Sequence, residues 1–150
     1  MTELLIRPAT LADVPAIVSM LADDPLGAHR ESPDDLSPYE KAYRRLADDA
    51  NQHLMVAVRG DRVVGTAQLT VIPGLSRRGA TRSVIEGVRV HSEERGNGLG
   101  TRLIQWAVDE SRRQECQLVQ LTSDATRTDA HRFYERLGFT PSHLGFKLAL

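Results

Sequence analysis

The sequence predicts an α/β protein with a mixed, mostly antiparallel sheet flanked by helices. Short segments rich in valine, leucine and threonine alternate with amphipathic segments of helical period, and turn residues separate them. Their order, β-α-α-β-β-β-α-β-α-β, joins the middle strands by hairpins and the later strands by crossover helices. Residues 1–150 are expected to form a single domain, since this length suits one hydrophobic core.

The first half of the chain predicts a strand, two helices and three more strands. Residues 4–7 are the expected opening strand, and Thr10 is the expected N-cap of a helix that ends near residue 23. After a predicted loop at residues 24–37, a second helix is predicted with Ser37 as its N-cap, because Ser37 precedes a proline and lies three residues before a glutamate. The strands that follow are predicted at residues 53–59, 62–72 and 80–90.

The second half alternates helices with short strands. A helix is predicted at residues 98–113, a buried strand at 118–121 and another helix at 129–137, where Gly138 supplies an easy left-handed cap. Two closing strands are predicted at residues 139–140 and 144–150.

Composition narrows the function classes. A net charge of −1 gives no general attraction to nucleic acid or to an anionic membrane surface. No apolar run approaches the roughly 20 residues that cross a bilayer. The polar start does not resemble a signal peptide, and the single cysteine, Cys116, cannot form an internal disulfide, so a cytoplasmic location is expected. The spacing of histidines and acids predicts no metal site.

A glycine-rich loop precedes the helix at residues 98–113. Glycines at a helix start let an anion approach the backbone N–H groups, and the helix dipole favours negative charge there. Arg95 adds a cation at the start of the loop. The loop lacks the Gly-Lys-Ser/Thr of a Walker A motif, and its third glycine comes one residue too early for a dinucleotide motif. The residues alone leave two interpretations, an anion site or a flexible turn.

Two motifs resemble those of the GNAT superfamily of acetyl-CoA-dependent N-acetyltransferases. The first is Arg95-x-x-Gly98-x-Gly100 after Val88-Arg89-Val90, and the second runs from Ala130 to Phe139 as AHRFYERLGF. The resemblance covers most of the chain. It implies a GNAT-like fold with splayed central strands, and direct transfer of an acetyl group from acetyl-CoA to a primary amine without a metal.

The resemblance also implies where the cofactor lies. The backbone groups of Val88 and Val90 are expected to pair with the pantetheine arm, and the N–H of Val88 is expected to polarise the thioester carbonyl. Many relatives carry an asparagine where this chain has Arg127. Either Ser123, Asp124 or Thr126 takes the place of that asparagine, or this chain binds the cofactor differently. The expected cofactor-binding residues are Val88, Arg89, Val90, Arg95, Gly96, Asn97, Gly98, Leu99, Gly100 and Thr101.

Two residues are expected to carry the proton transfers. By resemblance, Tyr134 faces the thioester sulfur and protonates the leaving thiolate, although core packing of a helix end is the alternative. Glu86 is the expected base. Simple alternation places it on one strand face with Val84, Val88 and Val90, and such apolar neighbours would raise its pKa. Alternatively Glu86 pairs with an arginine such as Arg82 or binds substrate only.

The loop at residues 23–35 is expected to line the acceptor pocket. It is rich in acids, which attract a cationic amine, and His29 and Glu31 are the candidate substrate-binding residues. A small-molecule amine is the expected acceptor. Acetylation of a protein N-terminus or lysine, or a non-catalytic acyl-CoA sensor, are the alternatives. The sequence leaves open whether the protein forms a homodimer.

Overall fold

The structure is a computed structural model that describes residues 3–150. Met1 and Thr2, part of the predicted polar start, lie outside the described residues. The chain divides into two compact units, of which the first ends at Gln120 and the second is Leu121–Leu150. No helix within residues 3–150 combines the length and the hydropathy that crossing a bilayer requires.

The first unit contains an ordered sheet with helices on both of its faces. Five strands lie side by side in chain order, and β1–β2, β2–β3 and β3–β4 are antiparallel pairs. The predicted mixed, mostly antiparallel α/β class is confirmed. The strands are β1 Leu4–Pro8, β2 Gln52–Arg59, β3 Arg62–Ile72, β4 Arg82–Val90 and β5 Leu118–Leu121. The helices are α1 Val14–Ala22, α2 Gly27–Arg30, α3 Ser37–Ala47, α4 Ser76–Gly79 and α5 Leu99–Arg113.

The helix α5 packs on one face of the sheet through an apolar cluster. Leu99 and Leu103 of this helix are buried against Ala57 of β2 and Ala67 of β3. Each such buried leucine contributes roughly 1.5–3 kcal/mol relative to an exposed one. On the other face, Ile17 of α1 packs in a second cluster, with Val56 and Val58 of β2.

The start of the first helix matches the prediction. Asp13 Oδ2 accepts hydrogen bonds from the backbone N–H of Thr10 at 2.7 Å and from Arg7 Nη1 at 2.7 Å. The hydrogen bond from Arg7 and those from Thr10 outweigh the burial of Asp13, so the pKa of this carboxyl lies below its ordinary value. A short 3-10 turn, Leu11–Asp13, leads directly into α1.

Three local expectations differ from the structure. The loop predicted at residues 24–37 contains α2, one helical turn that its prolines and acids did not signal. Leu36, not Ser37, is the N-cap of α3, so Ser37 is the first helical residue. Strand β4 starts at Arg82 because Arg77 and Arg78 turn into the left-handed region, with φ of 55° and 62°.

The second unit holds one helix, α6, which spans Thr128–Arg136. Gly138 follows it with φ of 97°, as a glycine cap requires. The closing strands predicted at residues 139–140 and 144–150 are wrong: residues 139–150 form no regular element. The alternating pattern identifies a face that needs cover, but a strand also needs a neighbour for its backbone, and the pattern does not name one.

Candidate active site

The glycine loop is the start of α5. Gly96 and Gly98 have φ of 84° and 76°, and Gly98 is the N-cap of the helix. A side chain would meet open space at both positions, so they favour glycine because of the backbone angle rather than because of crowding. The first N–H groups of a helix have no partner within it, and those of residues 99–101 therefore suit an anion.

The loop residues differ in what they expose. Arg95, Asn97 and Thr101 are exposed, whereas the side chain of Leu99 is 2% exposed and belongs to the core. Any contact of Leu99 with a bound molecule is therefore through its backbone.

The pairing of β3 with β4 is interrupted near the middle of β4. Thr66 pairs with Arg89 and Gln68 with Glu86, so two residues of β4, Gly87 and Val88, lie between partners where β3 has one. Gly87 has φ of 62°, a left-handed angle that glycine adopts readily at a bulge. The β3 register gives Val88 no partner, which fits a strand whose backbone is available to another molecule.

The bulge overturns the simple alternation expected for β4. Val88 and Val90 pack against the cluster that contains Leu99 and Leu103, on the α5 side. Glu86 pairs with Gln68, which pairs with Leu54, a residue packed against the cluster on the α1 side. Glu86 therefore does not share a face with Val88 and Val90, because the extra residue at the bulge reverses the facing.

The surroundings of Glu86 are polar and open. Glu86 is exposed, so the apolar surroundings expected for it are absent. On its face of the sheet, Gln52 Oε1 accepts hydrogen bonds from Gln68 Nε2 at 3.0 Å and from Thr70 Oγ1 at 2.8 Å. The sequence analysis missed Gln52, Gln68 and Thr70, and the signal that could have found them is their register beside Glu86 in the sheet.

Two adjacent aspartates connect the end of α1 to the candidate cofactor residues. Asp24 Oδ2 lies 3.1 Å from Arg89 Nε, an ionic contact without hydrogen-bond alignment. Asp23 Oδ2 lies 3.5 Å from Arg95 Nη2, and both side chains are more than half exposed. Burial acts to raise the pKa of Asp24, but the N–H of Gly27 and the charge of Arg89 outweigh it and lower the pKa below its ordinary value.

The contact between α2 and the end of α1 leaves no space for a side chain at Gly27. Gly27 is buried, and a Cβ at this position would lie 1.9 Å from the carbonyl oxygen of Leu21. That atom is backbone and cannot turn aside, so α2 reaches its place against the end of α1 only with glycine here. The loop predicted to line the acceptor pocket is thus held by packing at Gly27 and by charge at Asp24.

The two predicted substrate-binding residues lie on this segment but differ in their contacts. His29 is exposed on α2. Glu31 Oε1 accepts a hydrogen bond from the Tyr39 hydroxyl at 2.9 Å, and that hydroxyl accepts one from the N–H of Ser32 at 2.7 Å. Glu31 therefore braces the loop against α3 as well as carrying charge.

An open depression of about 380 Å³ lies beside the same loop. It is lined by Ser19, Met20, Ala22, Asp23, Pro33 and His91. His91 directly follows β4, so the depression lies toward the end of that strand from which the glycine loop continues.

In the second unit, Tyr134 lies on α6 and is half-buried. Its ring makes edge contacts with Phe133, at a centroid distance of 5.2 Å, and with Phe139 at 6.0 Å. The aromatic packing predicted as the alternative for this tyrosine is therefore present, and it fixes the ring without excluding a role for the hydroxyl.

The residues considered as replacements for the expected asparagine differ in their contacts. Asp124 Oδ1 accepts hydrogen bonds from the N–H and hydroxyl of Thr126, which lower the pKa of this carboxyl. Arg127 is the exposed N-cap of α6. Ser123 Oγ is buried and has no hydrogen-bond partner within residues 3–150. Of these four residues, Ser123 is the one whose buried polar atom has no partner.

Two other features of the described chain bear on chemistry. Among residues 3–150, no three His, Cys, Asp or Glu side chains group as metal ligands. Cys116 is half-buried, and burial raises the pKa of its thiol, which disfavours the reactive thiolate.

The comparison with protein families decides the family. The model of the acetyltransferase (GNAT) family matches residues 14–139. The chain belongs to the GNAT family. The membership that the two motifs indicated is thereby confirmed.

Three relatives show what this chain is similar to. Aminoalkylphosphonate N-acetyltransferase of Salmonella typhimurium is 36% identical over 102 residues, which span 68% of this chain and 66% of that protein. N-alpha-acetyltransferase 30 of Schizosaccharomyces pombe is 33% identical over 108 residues, 70% of each chain. The solved structure of a transcriptional regulator from Bacillus halodurans C-125 matches with a TM-score of 0.94 at 43% identity, over 99% of this chain and 100% of its own.

Replacing Gly27 with alanine is expected to displace the acceptor loop. The clash with the carbonyl of Leu21 costs about 1–3 kcal/mol in the free energy of unfolding. In the folded fraction, KM for the amine rises more than KM for acetyl-CoA, because the loop moves while the α5 start keeps its place. Gly74→Ala is the matched control, since its Cβ makes an ordinary contact at 3.5 Å. Equal KM values for the two glycine variants would contradict the role of this loop.

Proposed function

We propose that this GNAT domain transfers the acetyl group of acetyl-CoA to the primary amine of a small molecule. The observation that carries the proposal is the bulge of β4, which leaves Val88 without a partner in β3. This strand leads from Glu86 to the glycine loop, so one continuous segment supplies a carboxylate, a stretch of backbone outside the β3 register and an anion-binding helix start.

In the proposed reaction the amine attacks the thioester carbonyl directly. A carbon–nitrogen bond forms, the carbon–sulfur bond breaks, and coenzyme A leaves as its thiolate. The N–H of Val88 stabilises the oxyanion of the tetrahedral intermediate, as a fixed backbone donor does. Arg95 and the N–H groups at residues 99–101 hold the pyrophosphate.

Two side chains move protons in this proposal. The amine reaches the site as an ammonium and must lose a proton before it attacks. Glu86 accepts that proton through a water molecule, which its exposure on an open, polar face allows. The Tyr134 hydroxyl protonates the departing thiolate, whose basicity is comparable to that of a phenol. The second proton that the nitrogen loses on forming the amide restores this hydroxyl.

A small amine as acceptor is supported by the charges of the loop and by one relative. The loop at residues 23–35 carries five acids against one arginine, so it keeps negative charge after Asp23 and Asp24 contact Arg95 and Arg89, and the Gln52 network offers hydrogen bonds to a polar substrate. The relative from Salmonella is named for an aminoalkylphosphonate, a small amine with an anionic group. A cytoplasmic setting, where acetyl-CoA is made, completes the proposal.

Two other functions have specific support. The relative from Schizosaccharomyces pombe is named as an N-alpha-acetyltransferase, which favours a protein N-terminus as acceptor. The solved relative from Bacillus halodurans is named as a transcriptional regulator, which favours a domain that binds acyl-CoA without turnover.

Thiol release from acetyl-CoA over a panel of amines separates these functions. The panel contains 2-aminoethylphosphonate, ethylamine, glucosamine and peptides with free N-termini. We expect turnover with a small amine and with no peptide. Turnover on peptides alone would overturn the small-molecule acceptor, and calorimetric binding of acetyl-CoA with no turnover on any member would favour the regulator.

Glu86→Gln and Tyr134→Phe test the two proton transfers. We expect Glu86→Gln to lower kcat/KM about 10²-fold or more and to remove the acidic limb of its pH profile, because the base no longer titrates. Tyr134→Phe lowers kcat while the acidic limb remains. Glu115→Gln and Tyr43→Phe are the matched controls. A profile of Glu86→Gln that keeps its acidic limb, or an unchanged kcat in Tyr134→Phe, would remove the corresponding assignment.

Ser123 is the residue that we propose in place of the family's asparagine. Its buried hydroxyl has no protein partner and can donate to the pantetheine arm. In Ser123→Ala, KM for acetyl-CoA is expected to rise about 5–10-fold, the worth of one hydrogen bond. The free energy of unfolding stays equal or rises, because the lost hydroxyl was unpaired. An unchanged KM together with lower stability would assign Ser123 to the fold alone.

A further inference from the structure

The side chain of Arg89 lies on the same face of the sheet as Glu86. Arg89 pairs with Thr66 of β3, which pairs with Val56 of β2, and Val56 packs in the cluster on the α1 side. In a regular strand, residues 86 and 89 would face opposite sides, because successive side chains alternate. The extra residue at the bulge therefore brings the Arg89 guanidinium to the face on which the amine is proposed to bind.

The guanidinium of Arg89 makes contacts in two directions. Its Nη1 donates a hydrogen bond of 2.9 Å to the carbonyl of Val88, the residue at the bulge. Its Nε lies 3.1 Å from Oδ2 of Asp24, whose other oxygen accepts a hydrogen bond from the N–H of Gly27. The side chains of Arg89 and Asp24 are 17% and 23% exposed, so salt screens this pair less than a surface pair. These contacts form one series from the bulge to the start of α2.

The carbonyl of Val88 is the atom through which Arg89 holds the bulge. It belongs to the peptide group after Val88, whereas the N–H of Val88 belongs to the peptide group after Gly87, which has no Cβ to restrict its rotation. A hydrogen bond that fixes the first peptide group limits the orientations open to the second. This restraint matters for an oxyanion donor, because a misplacement of about 1 Å can slow a reaction about 10²-fold.

We propose that Arg89 is a positioning residue that holds the Val88 peptide group from the acceptor side, and that Asp24 makes this hold depend on the loop at residues 23–35. The inference rests on the proposed function, in which the N–H of Val88 stabilises the oxyanion. Asp24 also compensates the charge of the guanidinium, which would otherwise repel an ammonium on the same face. The loop that receives the amine is thereby coupled to the backbone group that stabilises the transition state.

Steady-state kinetics of Arg89→Met test the positioning role. We expect kcat to fall about 10-fold or more while KM for acetyl-CoA stays within about twofold, because the restraint acts on the transition state. Arg89→Lys is expected to restore only part of kcat, since an ammonium lacks the fork of a guanidinium. Arg7→Met is the matched control: it breaks the pair with Asp13 at the start of α1 and leaves kcat unchanged. Equal kcat values for Arg89→Met and Arg7→Met would overturn the role.

Hydrogen–deuterium exchange of the full chain, followed by mass spectrometry, tests the coupling without any substrate. Arg89→Met is expected to speed exchange at residues 24–30, and Asp24→Asn at residues 86–90, so each variant is measured in the segment to which it does not belong. Arg7→Met leaves residues 86–90 as protected as in the wild type. Unchanged exchange in either distant segment would overturn the coupling. A wild type that turns over no amine would instead overturn the proposed function, since the exchange result does not depend on turnover.

Discussion

The interruption of the β3–β4 ladder at Gly87 is the constraint on which the rest of the site depends. A regular strand would place Glu86, Val88 and Val90 on one face of the sheet, so the carboxylate and the two valines would share one environment. One extra residue separates them: the valines enter the core against α5, and Glu86 stays in solvent on the opposite face. It also leaves the backbone at Val88 without a partner in β3. Glycine suits this place because the chain passes through φ of 62° there.

The two faces of the sheet serve different ends. On the α5 face, apolar packing and the buried hydrogen bond between Ser83 and Ser111 fasten the helix to β4, so the helix start with its glycine loop is carried on a rigid support. On the α1 face, packing gives way to polar side chains toward Gln68 and Glu86, and charge rather than apolar area holds the loop at Asp24. In the proposed function, this strand therefore carries a fixed cofactor end and a polar acceptor end.

Most elements of the first unit followed from local sequence rules, and the site followed from them less completely. The helix starts at Thr10 and Gly98 depend on neighbouring residues, so the local sequence is enough to predict them. The polar surroundings of Glu86 arise from register with Gln68, which no local pattern contains. The bulge reversed the predicted facing for the same reason. The predicted strand at residues 144–150 has the right alternation, but its pairing partner is not a local property of the chain.

The contact between Asp23 and Arg95 is weak enough for another anion to replace Asp23. Both side chains are more than half exposed and 3.5 Å apart, and pairs of this kind contribute about 0–1 kcal/mol. At physiological ionic strength the Debye length is about 8 Å, so salt screens their attraction once the two groups separate beyond that distance. Arg95 is therefore kept near the mouth of the glycine loop without being bound tightly. A group with two negative charges would replace the Asp23 carboxylate beside Arg95 with little loss of free energy.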